Sequence, residues 1–180
     1  MVKKTFASSK MLQAGPPSSV VMVTCIDSKG KPNIITLGMY MPISHDPSLI
    51  CIGVSPNRYS HRLIEETGEF VVNVPSIELK DAMHLCGTKS GKNCDKFKEA
   101  GLTPIPAERV KPPLIKECFS NLECRVVQRH ECGDHTLFVG EVLAARLDEE
   151  YLTKDETLDV VKAKPIIQKN HVYWTVGGKH

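Results

Sequence analysis

Apolar and β-branched residues gather in short runs that turn signals separate. Ser19–Asp27 (SVVMVTCID) is such a run, closed by the Ser28–Lys31 turn cluster, and Asn33–Met41 (NIITLGMYM) follows it. Together they predict an antiparallel hairpin. Leu49–Ser55, after the turn-forming Asp46-Pro47, predicts a third strand, and Glu69–Pro75 a fourth. Leu122–Arg129 and Thr136–Leu147 flank His130–His135 and predict a second hairpin, with His171–Val176 as a short final strand. Helical signals are few. Ser60 is placed to cap His61–Thr67, with Gly68 where left-handed geometry ends a helix. Ser76 is placed to cap Ile77–Cys86, ended by Gly87, and Asp95–Ala100 is stopped by Gly101. These strands do not alternate with helices as βαβα. A mainly β fold is expected, an antiparallel barrel with short helices in its connections, as one domain over 1–180 with its core at about 19–176.

Composition adds boundaries. Of 180 residues, 41% are apolar and 24% charged, enough for a real core. Lys+Arg number 23 against 21 Asp+Glu, a formal net charge of +2, which argues against a nucleic-acid partner. No run approaches the roughly 18 apolar residues of a membrane helix, so no membrane partner is expected. The N-terminal lysines lack a following apolar segment, so a cytoplasmic protein is expected. The odd count of seven cysteines, with no C-x-x-C pair, fits free thiols.

Several sharp-looking motifs fail on spacing. Gly87-Thr88-Lys89-Ser90-Gly91-Lys92 has three residues between its glycines where a P-loop needs four, and Asn93 stands where the magnesium ligand belongs. Gly53-Val54-Ser55-Pro56-Asn57 lacks the second glycine of a nucleophile elbow. His130 and His135 are five apart, not the four of a zinc-binding helix, and a polar hairpin tip is the simpler reading.

Two segments carry chemistry. Ser55-Pro56-Asn57-Arg58-Tyr59-Ser60 lies between a strand end and a helix start, where free N–H groups, a hydroxyl and a guanidinium suit a phosphate. Taken alone, a capped helix with a solvated arginine explains it equally well. Lys89-Ser90-Gly91-Lys92, followed by Asp95-Lys96-Phe97, offers hydroxyl, bare backbone and three lysines, although a solvated basic loop is its simpler explanation alone.

In order and spacing, five segments resemble the flavin reductase-like FMN-binding family: Asn33–Met39, Ser55–Ser60, Glu69–Pro75, Ser90–Phe97 and Asp134–Val142. The resemblance runs from about Val20 to Trp174, with flavoredoxins and small flavin reductases of anaerobes and archaea as the nearest type. It implies a Greek-key split β-barrel, a homodimer, and FMN near the subunit interface. It also implies Thr36, Leu37, Gly38 and Met39 along the isoalloxazine, Ser55, Arg58, Tyr59 and Ser60 on the phosphate, and Ser90 and Lys96 at the phosphate or ring edge. No nucleophile is needed, because flavin does the chemistry; His135 is the candidate polar group at the open face, although a plain hairpin-tip histidine explains it equally well.

Three functions follow as alternatives. The first is an oxidoreductase taking electrons from NADH or NADPH to flavin, ferric or protein acceptors. The second is a flavoredoxin-like carrier fed by a redox protein. The third is a non-catalytic flavin- or metal-binding sensor built on Cys124, His130, Cys132 and His135. Leu37–Met41 and Val172–Trp174 are candidate dimer cover, although core packing is the simpler reading. Cys25 and Cys51, within strand runs, are expected to be buried and inert. Cys94, between Lys92 and Lys96, is expected to be the fastest-labelled thiol and protected by FMN.

Overall fold

The computed structural model describes residues 3–177. Its elements, in chain order, begin with α1 (Met11–Ala14), β1 (Ser18–Ser19), β2 (Val21–Ile26), β3 (Pro32–Leu37), β4 (Tyr40–Ser44) and β5 (Leu49–Val54). Next come α2 (Tyr59–Thr67), β6 (Glu69–Val74), α3 (Lys80–Thr88), α4 (Lys96–Ala100), and the short pair β7 (Pro104–Ile105) and β8 (Leu114–Ile115). Two long strands, β9 (Ser120–Cys132) and β10 (His135–Leu147), precede α5 (Val160–Ala163), β11 (Ile167–Lys169) and β12 (Val172–Trp174).

Seven strands form one antiparallel sheet in the order β3-β2-β6-β9-β10-β5-β4. Its two edge strands, β3 and β4, are consecutive in the chain. Only Gly38 and Met39 lie between them, so the sheet closes on itself through a covalent link instead of a hydrogen-bonded ladder. This is the split of a split barrel, as expected from the sequence. The expected single strand Asn33–Met41 is thereby corrected to two: β3 pairs with β2, and β4 turns away to pair with β5. At the break the Gly53 N–H donates to the Met39 carbonyl (3.0 Å).

The continuous apolar run of β2 has its reason here, because both of its faces are buried. Val21, Val23 and Cys25 pack inside the barrel with Leu63 and Ile64 of α2, Phe70 and Phe138. Val20 and Met22 face outward onto Ile34, Met83, Cys86 and Phe97, the layer that α3 and α4 bring. Helix α2 therefore plugs the barrel, while α3 and α4 cover its outer wall.

Helix ends partly follow expectation. Gly68 and Gly101 take left-handed φ of 67° and 66° as C-caps, and Asp95 caps α4 by accepting from the Lys98 N–H. Ser60 does not cap α2. The extended residue before the helix is Arg58, without a side-chain cap bond, and Ser60 is buried one residue inside the helix. Ser76 precedes a 3₁₀ turn, also with no side-chain cap bond. Gly87 does not end α3, which runs on to Thr88; a Cβ at Gly87 would lie 3.2 Å from the Thr36 Cβ, so close packing on β3 is its role.

Among the described residues no helix is long and apolar enough to cross a membrane.

Candidate functional site

The split opens into a cleft of about 470 Å³, within the range of small-molecule sites. Its floor is the β3–β4 link. Thr36, Leu37, Gly38 and Met39 line it, joined by Ser55 and Arg58 from the β5–α2 connection and by His135 from the start of β10. A smaller chamber of about 100 Å³ adjoins the cleft and shares Ile35, Arg58 and Gly87 with it. Tyr59, Ser60, Ser90 and Lys96 line that chamber. All ten residues expected at a cofactor, and His135, thus border one of two contiguous cavities, although they come from segments up to a hundred residues apart.

Lys96 is the most informative of them. Only 5% of it is exposed, and its Nζ donates to the Ile34 carbonyl (2.6 Å) and the Cys86 carbonyl (2.7 Å). No carboxylate lies within ion-pair distance of it among the described residues. Burial pushes its pKa below the usual lysine range. A buried ammonium without an anion is costly, and its third N–H is unassigned. Asn33 stands beside it, a residue sequence reasoning missed as a site residue. Its Nδ2 donates to Ser60 Oγ (2.7 Å), and its buried Oδ1 has no hydrogen-bond partner. A Cβ on Gly91 would collide with that amide, so at this position the loop meets the chamber as bare backbone.

His135 is half-buried, and its Nδ1 donates to Asp134 Oδ1 (2.8 Å). A carboxylate only accepts, so Nδ1 carries the proton and Nε2 remains as the ring's second polar atom. The hydrogen bond from His135 holds the exposed Asp134 carboxyl below its ordinary pKa.

The cleft also holds residues with no local signal. Leu12 and Pro16 approach from the N-terminal segment, and Gln168, Lys169, Asn170 and His171 from the β11–β12 hairpin. Lys169 Nζ donates to the Gly15 carbonyl and ties these two segments together. Only the turn-forming character of the hairpin could have drawn notice.

The cysteines divide as burial dictates. Cys25 and Cys51 are buried, and desolvation raises both, Cys25 to about 12. Cys94 is half-buried with its Sγ 3.5 Å from the Ser90 carbonyl, whereas the exposed thiol is Cys132. The metal-ligand set considered for a sensor is not assembled. Cys124 is fully buried in β9, and Cys132 is eight residues further along the same extended strand, about 26 Å away. No group of three or more metal-ligating side chains occurs among the described residues.

Residues 14–167 match the family described as flavin reductase like domain. Over its full length the chain superposes on flavoredoxin of Desulfovibrio vulgaris (Miyazaki F) with a TM-score of 0.91 and 29% identity, covering 96% of that chain. An uncharacterized protein of Archaeoglobus fulgidus is 50% identical over 113 residues, which span 63% of this chain and 64% of that relative. The NADH-dependent FAD reductase of Streptomyces globisporus is 29% identical over 130 residues, 72% of this chain and 69% of its own.

Proposed function

The chain belongs to the flavin reductase like family, and from that premise we propose that it binds FMN at the barrel split and serves as an oxidoreductase between NADH or NADPH and flavin, ferric or protein acceptors. One observation carries the reading: a buried lysine without a carboxylate partner lines a small polar chamber that adjoins a ring-sized cleft. The bare backbone at Gly91 fits the same cradle. Flavin, when bound, supplies a ring that takes up a hydride and releases two electrons, together or singly.

The chain's own residues hold that ring and set its surroundings. Arg58, Tyr59, Ser60, Ser90 and Lys96 bind the phosphate, with charge supplied by the guanidinium and the ammonium. The backbone of Thr36–Met39 runs along the ring, and Ser55 closes the junction between ring and phosphate. Thr36 cannot donate there, because its hydroxyl donates to the Met83 carbonyl (2.6 Å). His135, oriented by Asp134, holds a proton at the rim of the cleft. FMN is preferred to FAD because a chamber of about 100 Å³ takes one phosphate and offers no second place for an adenylate.

The purified protein is expected to be yellow, with one FMN per chain released intact by acid. FAD in the released fraction, or no flavin after reconstitution, would sink the assignment. Anaerobic titration with NADH and NADPH then tests the donor, and bleaching by either supports it. The likeness to a flavoredoxin supports a second reading, a carrier fed by a redox protein. Bleaching only by a reduced iron–sulfur protein would select that reading.

A homodimer is the expected assembly. Met39, Met41 and Ile43 around edge strand β4, and Val172 and Trp174 of β12, are exposed at 43–58%, so core packing does not account for them. Leu37, by contrast, belongs to the core. Sedimentation should give twice the 19.9 kDa chain mass, and a monomer with full flavin occupancy would count against the dimer.

A further inference from the structure

The surroundings of Lys96 suit a neutral amine as well as a cation. An ammonium has three N–H donors, whereas the neutral amine has two and a lone pair. Two protein acceptors meet the Nζ, the carbonyls of Ile34 (2.6 Å) and Cys86 (2.7 Å). Loss of one proton therefore leaves both remaining donors paired. It also frees a lone pair in the wall of the chamber that Lys96 lines.

The titratable groups facing this amine are the thiols of Cys86, Cys94 and Cys25 and the guanidinium of Arg58. Burial pushes the Cys25 thiol up to about 12 and the Cys86 thiol up to about 11, so neither supplies an anion. Burial also pulls Lys96 below its ordinary range, and Arg58 adds to that, while the thiols oppose the shift without cancelling it. A desolvated lysine beside a second cation is the kind that serves as an amine nucleophile.

The other lysine of the chamber shows the contrast. Lys89 is exposed, and its ammonium is held by Glu99, whose hydrogen bond and charge raise its pKa. Among the described residues Lys96 is the one buried lysine. Arg58 and the hydroxyls of Ser60 and Ser90 share its chamber, and no carboxylate lines it. Such a chamber selects small anions. An anion that also carries an electrophilic carbon meets the amine.

We infer that Lys96 is a carbonyl-reactive amine and that the chamber takes a small phosphorylated aldehyde. Arg58, Ser60 and Ser90 hold the phosphate while Nζ attacks the carbonyl carbon. The Nζ–C bond forms as the carbonyl oxygen takes up a proton, and loss of water leaves an imine. One amine and one aldehyde give one imine and one water, so no oxidant or reductant is consumed. Hydrolysis reverses the step. The adduct fills the place of a flavin phosphate, so the two ligands exclude each other. The inference rests on the reading of the chamber as a phosphate site and adds a second use of the same lysine.

The test treats the flavin-stripped full chain with glycolaldehyde phosphate and cyanoborohydride, which reduces the imine to a stable secondary amine. Peptide mass then gives the labelling rate of each lysine. Lys96 should react about tenfold faster than exposed lysines at neutral pH, because more of it is unprotonated. Its rate should also level off at a lower pH than theirs. Inorganic phosphate or FMN should protect it. Arg58→Ala, which leaves the amine in place, should slow its labelling several-fold. Plain glycolaldehyde should label it far more slowly; equal rates for the two aldehydes would overturn the inference. If FMN binds at one per chain but Lys96 reacts no faster than exposed lysines, the inference fails and the flavin reading stands. If Lys96 is labelled fast and phosphate protects it while no flavin binds, the inference stands and the flavin reading fails.

Discussion

Lys96→Met is expected to weaken FMN binding about a hundredfold while riboflavin binding falls only several-fold. The contrast isolates the phosphate, the only group by which the two flavins differ. In the parent protein the ammonium is held by the carbonyls of Ile34 and Cys86 and has no anionic partner. A phosphate in the adjoining chamber supplies that partner at low local dielectric, where a charge-assisted bond is strong. Removing the ammonium also strands two buried carbonyls, at about 1–3 kcal/mol for an unsatisfied group. Riboflavin titration and the melting of the apo-protein separate that structural loss from the loss of phosphate recognition. Arg58→Ala provides a second check, because Arg58 is exposed and its removal strands nothing. It should cost FMN roughly tenfold and riboflavin little. Equal losses for both flavins in both variants would place the pair away from the phosphate.

The same lysine gives a pH dependence. Burial lowers its pKa in the free protein, and a bound phosphate raises it again. Above the depressed value, FMN binding therefore takes up a proton, and affinity must fall as pH rises through that value. Riboflavin binding should lack this dependence.

The second large effect concerns stability. Glu123 is fully buried in β9, and its carboxylate accepts the backbone N–H of Glu108 (3.0 Å) and of Arg109 (2.6 Å). Arg146 Nη2 lies 3.3 Å away, on a side chain that remains 38% exposed. Glu123→Ala should destabilise the protein by about 3–5 kcal/mol, because it removes the acceptor that anchors the loop between β7 and β8. For a chain of this size that corresponds to a Tm lower by roughly 6–20 °C. Arg146→Met should cost far less, since solvent already screens that partner and the backbone donors keep their carboxylate. Denaturant melts of the two variants decide the matter. If they lose the same amount, the ion pair and not the backbone cradle supports the loop.

Glu123 also shows where sequence reasoning runs out. In Leu122–Arg129 the glutamate reads as one polar position of a half-exposed strand, and nothing local marks it as the most buried carboxylate. Its burial depends on a loop that begins some fifteen residues earlier and brings two N–H groups to it. Ser60 errs in the same way: its type and position suit a cap, but it accepts from Asn33, 27 residues away.

What the chain determined by itself is local. β-branched runs and turn clusters predict most of the seven sheet strands, and Gly68, Asp95 and Gly101 mark helix ends, because periodicity and backbone preference act over a few residues. The motif order also revealed the family, since the segments that line the cleft are each compact in sequence. Tertiary structure decided the rest. It broke Asn33–Met41 at Gly38–Met39, because a seven-stranded sheet curled on itself makes its first and last edges neighbours in the chain. That closure placed the split at the residues expected along the ring. It buried Lys96 on the carbonyls of Ile34 and Cys86, and it brought Gln168 and His171 over a cleft built more than a hundred residues earlier. Such placements depend on long-range pairing, in which each residue's environment is supplied by distant elements and cannot be read from its own neighbours.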